Sequence, residues 1–255
     1  MLPTSQPQLQ LSRSSALFHY TKDISTLQNI LKYGFYPFYC LEQLPFGGTN
    51  PEIAFPMVCF CDIPISRISE HLRFYGTYGL AMEKNNWGIG HRINPILYIS
   101  NNSGLSKSIE MTIKGAKKLK EEYNEDQYLK SIRNICAYIK KIKGEAKDID
   151  GEYKDKNFYL ENEWRYVPQS LKIKPYLKKE EYDNKKTLSD NNKIANKEGC
   201  LAIHPNNIRY IVVETDWDVD DLIKFIENEL TDYSVDRKKQ LISKILPMEF
   251  ILQDI

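Results

Sequence analysis

The sequence predicts an α+β fold. Short apolar or alternating stretches of strand length are mixed with amphipathic stretches of helical spacing, and the two kinds follow no regular order along the chain. A doubly wound sheet would alternate strand and helix, so this order favours mixed or antiparallel sheets with flanking helices. With 255 residues, 42% of them hydrophobic and 12% aromatic, the chain can bury a substantial core. We expect one domain over residues 1–255.

The N-terminal half contains alternating strand and helix signals. Asp23 or Ser25 can cap the first helix, and Gly34 and Gly76 end the two helices. The predicted strands are residues 16–21, 56–62, 78–82 and 95–99, and the predicted helices are residues 26–33 and 67–75. Residues 35–55 are rich in Tyr, Phe, Pro and Gly, which predicts a long loop able to cover a ligand.

The C-terminal half opens with a Lys- and Glu-rich region in which Ile, Leu and Tyr recur at helical intervals. This pattern predicts a helical insertion at about residues 106–150. Residues 172–197 are rich in Lys, Asn and Asp, which predicts a mobile loop. The remaining predicted strands are residues 158–168, 200–203, 209–214 and 248–252, and the remaining helices are residues 222–230 and 236–246.

Charge and hydropathy exclude several classes of protein. The formal net charge is +1, so the bulk balance does not require nucleic acid or an anionic membrane as a partner, and an RNA-directed effector would need a basic surface that the composition does not indicate. The sequence holds no run of about 18 apolar residues, and its first 15 residues are polar. We therefore expect a cytoplasmic protein without a membrane partner.

The motifs of metal and nucleotide enzymes are missing from the sequence. Five cysteines lack Cys-x-x-Cys spacing and only four histidines accompany them, so we expect no metal site, and Cys59 and Cys61 are interpreted as small buried hydrophobes. No glycine-rich dinucleotide fingerprint, Walker loop, zinc-protease helix or serine-nucleophile elbow is present.

The segment from Leu160 to Tyr166 carries the strongest signal, because its apolar and charged residues alternate with the period of a strand. Glu161, Glu163 and Arg165 would then share one face. Burying unpaired charges costs several kcal/mol, so that face must line water or a ligand cleft. The alternative is a solvated ladder in which Arg165 pairs with Glu163.

A family resemblance rests on four motifs and on this segment. The motifs are Phe18-His19-Tyr20-Thr21, a Leu-x-x-Ile-Leu-x-x-Gly-Phe pattern at residues 27–35, Pro-Met-Val-Cys-Phe-Cys-Asp-Ile-Pro at residues 56–64, and Tyr-Gly-x-Tyr-Gly at residues 75–79. Together with Glu161-Asn162-Glu163-Trp164-Arg165, they resemble the AbiGi-type abortive-infection family of bacterial phage-resistance proteins. That resemblance implies a role in antiviral defence, and the family carries an antitoxin description.

A more distant resemblance, to the mono-ADP-ribosyltransferase fold, implies an NAD site. By this analogy His19 would hydrogen-bond a ribose hydroxyl, and Tyr75, with Tyr78 as a competitor, would stack on the nicotinamide ring. Glu163 would be the catalytic carboxylate that stabilises the developing oxocarbenium ion, and Glu161 would orient the acceptor.

The same resemblance adds Tyr20 and Thr21 to the NAD-binding set and lets Arg165 bind a phosphate. It implies ADP-ribosyl transfer or NAD hydrolysis, with NAD and a protein or nucleic-acid acceptor as partners. The rival hypothesis is a non-catalytic antitoxin or interaction module with a cognate partner. Convergence of His19, Tyr75 and Glu163 on one open cleft would favour the enzyme, whereas a Glu163 tied to Arg165 and a sealed His19 would favour the binding module.

Overall fold

The computed structural model describes residues 14–46 and 50–253. The strands are β1 (Ala16–Thr21), β2 (Phe38–Gln43), β3 (Glu52–Cys61), β4 (Tyr78–Glu83), β5 (Asn94–Pro95), β6 (Leu97–Ile99), β7 (Ile139–Lys141), β8 (Lys143–Lys147), β9 (Tyr153–Asn157), β10 (Glu163–Tyr166), β11 (Leu177–Lys178), β12 (Ile208–Val213) and β13 (Ile245–Pro247). The helices are α1 (Ile24–Tyr33), α2 (Ser69–Tyr75), α3 (Gly104–Tyr123), α4 (Gln127–Cys136), α5 (Lys179–Asp183), α6 (Lys185–Gly199), α7 (Trp217–Glu229), α8 (Val235–Ile242) and α9 (Met248–Gln253).

Nine of the described strands form one sheet. Its main path runs β13-β12-β4-β1-β3-β10-β5, with β2 and β11 paired to β3 away from that path. Every pairing within the sheet is antiparallel except that of β12 with β13. The mixed and mainly antiparallel sheet with flanking helices confirms the predicted α+β class. Within the described ranges, no helix has both the length and the apolar character needed to cross a membrane.

Strand β3 organises the sheet because its two ends have different partners. Its first residues pair with β2 and β11, and its last four pair with β10. Strand β1 meets β3 at one register pair, Phe18 opposite Cys61, although it pairs with β4 along its whole length. Strands β1 and β3 therefore diverge beyond this pair, and a gap opens between His19 and Cys59.

Helix α1 covers one face of the sheet next to this gap. Its Leu27, Ile30 and Leu31 are buried and pack in the largest core cluster, together with residues of α7 and α8. The predicted cap is confirmed, because an oxygen of the Asp23 carboxylate accepts a hydrogen bond from the Thr26 backbone N–H at 2.8 Å. The capped and packed helix fixes one wall of the gap.

The segment 35–55, predicted to be a loop, instead contains β2 and the start of β3. The register runs from Phe38 opposite Met57 to Gln43 opposite Glu52. Tyr and Phe, which the composition placed in a loop, are also favoured in strands, and here they alternate between a buried core position at Tyr39 and a cavity position at Phe38. That this segment borders a ligand site stays a prediction. In the structure the segment would do so as a strand at the wall of the site and not as a loop that covers it.

The segment 172–197, predicted to be a mobile loop, holds β11, α5 and α6. Ala195 and Leu188 of α6 pack against Leu177 and Tyr39 in a small core cluster. Few apolar residues at helical spacing suffice for this packing, and the surrounding charges stay in solvent. The prediction of a mobile loop was wrong because the many charged residues of this segment outnumber the few apolar residues that pack in the core.

Other local predictions also needed correction. Residues 248–252, predicted as a strand, form α9, since a short apolar run does not distinguish strand from helix. The predicted strand 158–168 begins as a helical turn, Phe158–Glu161, and Asn162 with φ of 43° separates this turn from β10. Asp62, which follows β3, forms a 2.5 Å ion pair with Lys84.

Gly76 ends α2, and its backbone φ of +95° is one that side-chain-bearing residues rarely adopt. A Cβ added there would lie 2.2 Å from the Thr21 carbonyl oxygen. We expect Gly76→Ala to lower the free energy of unfolding by about 1–3 kcal/mol. The matched control is Gly115→Ala in the exposed middle of α3, which should raise it by about 0.5–1 kcal/mol. Urea unfolding measures both, and equal effects of the two substitutions would contradict the assignment.

Candidate functional site

A cavity of about 720 Å³ lies where β1 and β3 diverge. Its mouth is bordered by Tyr33, Tyr36 and Phe38, whose side chains are exposed. Its lining also includes the side chains of Glu161 and Glu163, which are about 95% buried. The volume falls in the range that small-molecule and cofactor sites occupy in proteins. Its lining residues include Phe18, His19, Tyr20, Thr26, Asn29, Ile30, Tyr33, Phe35, Tyr36, Phe38, Cys40, Glu42, Met57, Cys59, Phe60, His71, Tyr75, Lys140, Glu161 and Glu163.

Five of the residues predicted from the sequence line this one cavity. His19 and Tyr20 come from β1, Tyr75 from the end of α2, Glu161 from the turn before β10, and Glu163 from β10 itself. These elements are far apart in the sequence, so the sheet and its crossovers bring the five side chains together.

Three of the predicted residues lie elsewhere. The Thr21 hydroxyl donates to the Asp23 carbonyl at 3.0 Å, and the Tyr78 hydroxyl donates to Asp218 at 3.3 Å. Arg165 is completely buried behind the cavity wall. None of the three is among the cavity-lining residues, so this geometry does not offer them to a ligand.

His19 bridges the gap between the diverging strands. Its Nδ1–H donates to the Cys59 carbonyl at 2.7 Å, which provides this carbonyl with a donor on the side facing β1. Burial lowers the pKa of His19, so the ring is neutral at pH 7. In that tautomer Nε2 is an acceptor, and no described residue hydrogen-bonds to it.

Tyr75 packs against His71 with ring centroids 4.4 Å apart, and the ammonium of Lys156 lies 4.1 Å from the Tyr75 ring centroid. A ligand ring that stacked on Tyr75 would compete with these two contacts. The Tyr75 hydroxyl donates to Oε1 of Glu161 at 2.5 Å. Burial lowers the pKa of His71 to about 4, so this second imidazole is also neutral at pH 7.

A chain of alternating charges runs along and behind the floor of the cavity, which is formed by its members Glu42, Glu163, Lys140 and Glu161. The six groups are, in order of contact, Glu42, Arg165, Glu163, Lys140, Glu161 and Lys156, with N···O distances of 2.6, 2.7, 2.7, 2.8 and 2.6 Å. We call these six residues the charge cluster. Arg165 also donates to the Ala137 carbonyl at 2.7 Å. Because each buried charge has an opposite neighbour, the cluster meets the condition under which ionised groups are tolerated in a protein interior.

The surroundings of the cluster shift the pKa values of its three carboxylates in different directions. Burial alone would raise the pKa of Glu163, but Arg165 and Lys140 outweigh burial and hold that pKa well below its ordinary value of 4.5. Lys140 likewise lowers the pKa of Glu161 against the effect of burial. Burial dominates at Glu42, whose pKa is raised. Glu163 is therefore a permanent anion at neutral pH, suited to stabilising positive charge and not to donating a proton.

Sequence reasoning missed Lys140, Lys156 and Glu42. The two lysines lie in a lysine-rich region where no single residue stands out, and both are brought to the charge cluster by short strands, β7 and β9. Glu42 could have been found from the alternation of β2, since Phe38, Cys40 and Glu42 all line the cavity.

A second cavity of about 230 Å³ adjoins the first and shares His71 and Glu161 with it. Lys156 lines this second cavity and not the first. The two compartments therefore meet at Glu161, and one of the two cations that pair with this carboxylate, Lys156, lies on the far side of the junction.

The fold and site define a class of α+β proteins with a small-molecule-sized cavity over a buried charge cluster. A family model described as "Putative abortive phage resistance protein AbiGi, antitoxin" matches residues 34–214. A protein of Lactococcus lactis subsp. cremoris named "Abortive phage resistance protein AbiGi" is 30% identical over 239 residues, which cover 84% of this chain and 95% of the relative. No solved structure matches. The chain belongs to the AbiGi family, and the predicted family resemblance is confirmed.

The charge cluster predicts a dependence of stability on pH. The folded-state pKa values of Glu163 and Glu161 are lowered, so their contribution is present above the unfolded-state value of about 4.5 and is lost as the pH falls through the folded-state values. We expect Glu163→Gln to lower the free energy of unfolding at pH 7 by about 3–5 kcal/mol, because it leaves Arg165 and Lys140 each with one partner fewer.

The same variant should lose less additional stability than wild type between pH 5 and pH 3, because one titrating group has been removed. Urea unfolding at several pH values measures both effects. The control is Glu229→Gln, which breaks an exposed ion pair with Lys32 and should leave stability near the wild-type value. An unchanged acid dependence in Glu163→Gln would contradict the role of Glu163.

Proposed function

We propose that this AbiGi-family chain acts in anti-phage abortive infection by binding NAD in the 720 Å³ cavity and cleaving its nicotinamide–ribose bond. One observation supports the proposal: His19, Tyr75 and Glu163 all line a single cavity, which is the convergence that the enzymatic hypothesis requires. The structural order also fits that fold, with the histidine on the first strand, the tyrosine at the end of a helix and the glutamate on a late strand.

His19 and Glu163 would have different roles in the cleavage. His19 would accept a hydrogen bond from a ribose hydroxyl through Nε2, since Nδ1 is committed to Cys59. Glu163, ionised and held by Arg165 and Lys140, would stabilise the positive charge that develops on the ribose as the C1′–N bond breaks. The bond's electron pair leaves with nicotinamide, and water or an acceptor nucleophile bonds to C1′ and loses its proton.

Glu161 would serve the incoming nucleophile. It lies at the junction of the two cavities, so water or an acceptor side chain could approach it from the 230 Å³ compartment while NAD occupied the larger one. Tyr75 would act through its hydroxyl, which positions Glu161, because its ring already contacts His71 and Lys156. This assignment replaces the stacking role that the resemblance implied for Tyr75.

We expect purified wild-type chain to release nicotinamide from NAD, and Glu163→Gln to do so more slowly by a factor on the order of a hundred or more. His19→Asn is the companion variant, because its amide can still donate to the Cys59 carbonyl while the Nε2 acceptor is lost. Chromatography of released nicotinamide measures the rate, and Glu229→Gln is the control. Wild-type chain that neither releases nicotinamide nor is stabilised by NAD would contradict the proposal.

A second candidate function, a non-catalytic antitoxin, is favoured by the description of the matching family model and by the ion pairs that hold Glu163. In that case the cavity would be dispensable for phage resistance. Cells that express wild type or His19→Asn separate the two hypotheses during phage infection. Equal protection and an unchanged cellular NAD pool would support the antitoxin, whereas loss of protection in His19→Asn would support the enzyme.

A further inference from the structure

The walls of the cavity near its mouth are aromatic. Tyr33, Tyr36 and Phe38 border the opening, and Phe35 and Phe60 lie deeper, with their rings packed edge to face at 5.1 Å. Aromatic ring faces carry partial negative charge, and several of them around a pocket attract organic cations. The walls therefore favour a flat or cationic ligand over an anionic one.

The charges that face the cavity are mainly negative. Glu42, Glu161 and Glu163 line it, and among its described lining residues Lys140 is the one cation. The Lys140 ammonium is already bound to two carboxylates, at 2.7 and 2.8 Å.

The other two cations of the charge cluster are turned away from the cavity. Arg165 is completely buried, and Lys156 lines the adjoining compartment. The six charges of the cluster sum to zero, but its three carboxylates are the members that line the cavity together with Lys140. A phosphate group in the cavity would meet carboxylates without a free cation to bind it.

The cavity is also lined by uncharged polar side chains. The Tyr20 side chain lines the cavity, but its hydroxyl is buried away from the cavity surface and has no hydrogen-bond partner in the described part of the chain. Nε2 of His19, which has no partner among the described residues, can accept a hydrogen bond from a hydroxyl or amide donor of a ligand.

We propose that the cavity selects a flat aromatic ring that carries positive charge, of the pyridinium riboside class, and keeps phosphate groups outside. The identification of the ring as a pyridinium rests on the proposed function, while the preference for a cation rests on the cavity's own walls and floor. Of an NAD molecule, the cavity would hold the nicotinamide riboside end, and the pyrophosphate would lie beyond the mouth.

Two ligand pairs test this on the wild-type chain by calorimetric titration. The first pair is 1-methylnicotinamide and nicotinamide, which differ by a methyl group and a positive charge. The second is nicotinamide riboside and nicotinamide mononucleotide, which differ by a phosphate. We expect the methylated cation to bind about tenfold tighter than nicotinamide. The mononucleotide should bind no tighter than the riboside.

A matched pair of variants locates the preference. Glu42→Gln removes one cavity carboxylate at nearly constant shape and should reduce the ratio of the two nicotinamide affinities, whereas Glu52→Gln, an exposed position on β3 outside this cavity, should leave the ratio unchanged. If Glu42→Gln folds poorly, the ratio of the two nicotinamide affinities in the wild-type chain still tests the preference for a cation.

Equal affinities for the methylated cation and nicotinamide, or tighter binding of the mononucleotide than of the riboside, would overturn the inference while leaving NAD cleavage standing. Tight binding of the cation without any nicotinamide release from NAD would support the inference and remove the enzymatic proposal. Failure of all four probes to bind would overturn the inference, and the release of nicotinamide from NAD would decide the enzymatic proposal separately.

Discussion

Arg165 is completely buried, and its guanidinium joins three segments that are distant in the sequence. It donates to Glu163 on its own strand, to Glu42 on β2 and to the Ala137 carbonyl just after α4. A guanidinium without these partners would cost several kcal/mol to bury, so folding must bring all three acceptors to it. The same contacts fix the rotamer of Glu163 and the position of β2 relative to β10. The floor of the cavity and one of its walls therefore depend on a single buried cation.

Lys140 extends this dependence to the far side of the floor. Its ammonium binds both Glu163 and Glu161, and burial, which alone would lower its pKa, is outweighed by these carboxylates. Glu161 in turn accepts a hydrogen bond from the Tyr75 hydroxyl, so α2 is connected to the same network. On the opposite side the neutral imidazole of His19 spans the point where β1 leaves β3. The cavity thus stays open because polar contacts replace the strand pairing that would otherwise close it.

The sequence contained part of this arrangement. The alternation around Trp164 placed Glu163 and Arg165 on one face, as the structure does. The prediction that this face lines water or a cleft holds for Glu163 and is wrong for Arg165, which is completely buried in an ion pair with Glu163. Local pattern could not identify Lys140, because its partners are 21 and 23 residues away and neighbouring lysines look the same. It also misplaced Glu161 in a strand, since the left-handed Asn162 that interrupts the strand leaves no apolar signal. Strand and helix positions follow from local periodicity, whereas this site is assembled by long-range pairing.

The position of the charge cluster bears on its purpose. Apolar side chains of similar volume often serve a core as well as or better than buried ion pairs, so stability alone gives little reason to bury six charges together. Here the chain places three carboxylates on the cavity side and two of the three cations behind them. This arrangement orients a dipole toward the cavity, and a fixed dipole in a site shielded from water acts strongly on any charge that a ligand brings or develops. Because Glu163 is kept ionised by its neighbours, that action is electrostatic and requires no proton transfer from this residue. A cavity of this kind favours chemistry in which the ligand becomes or remains positive.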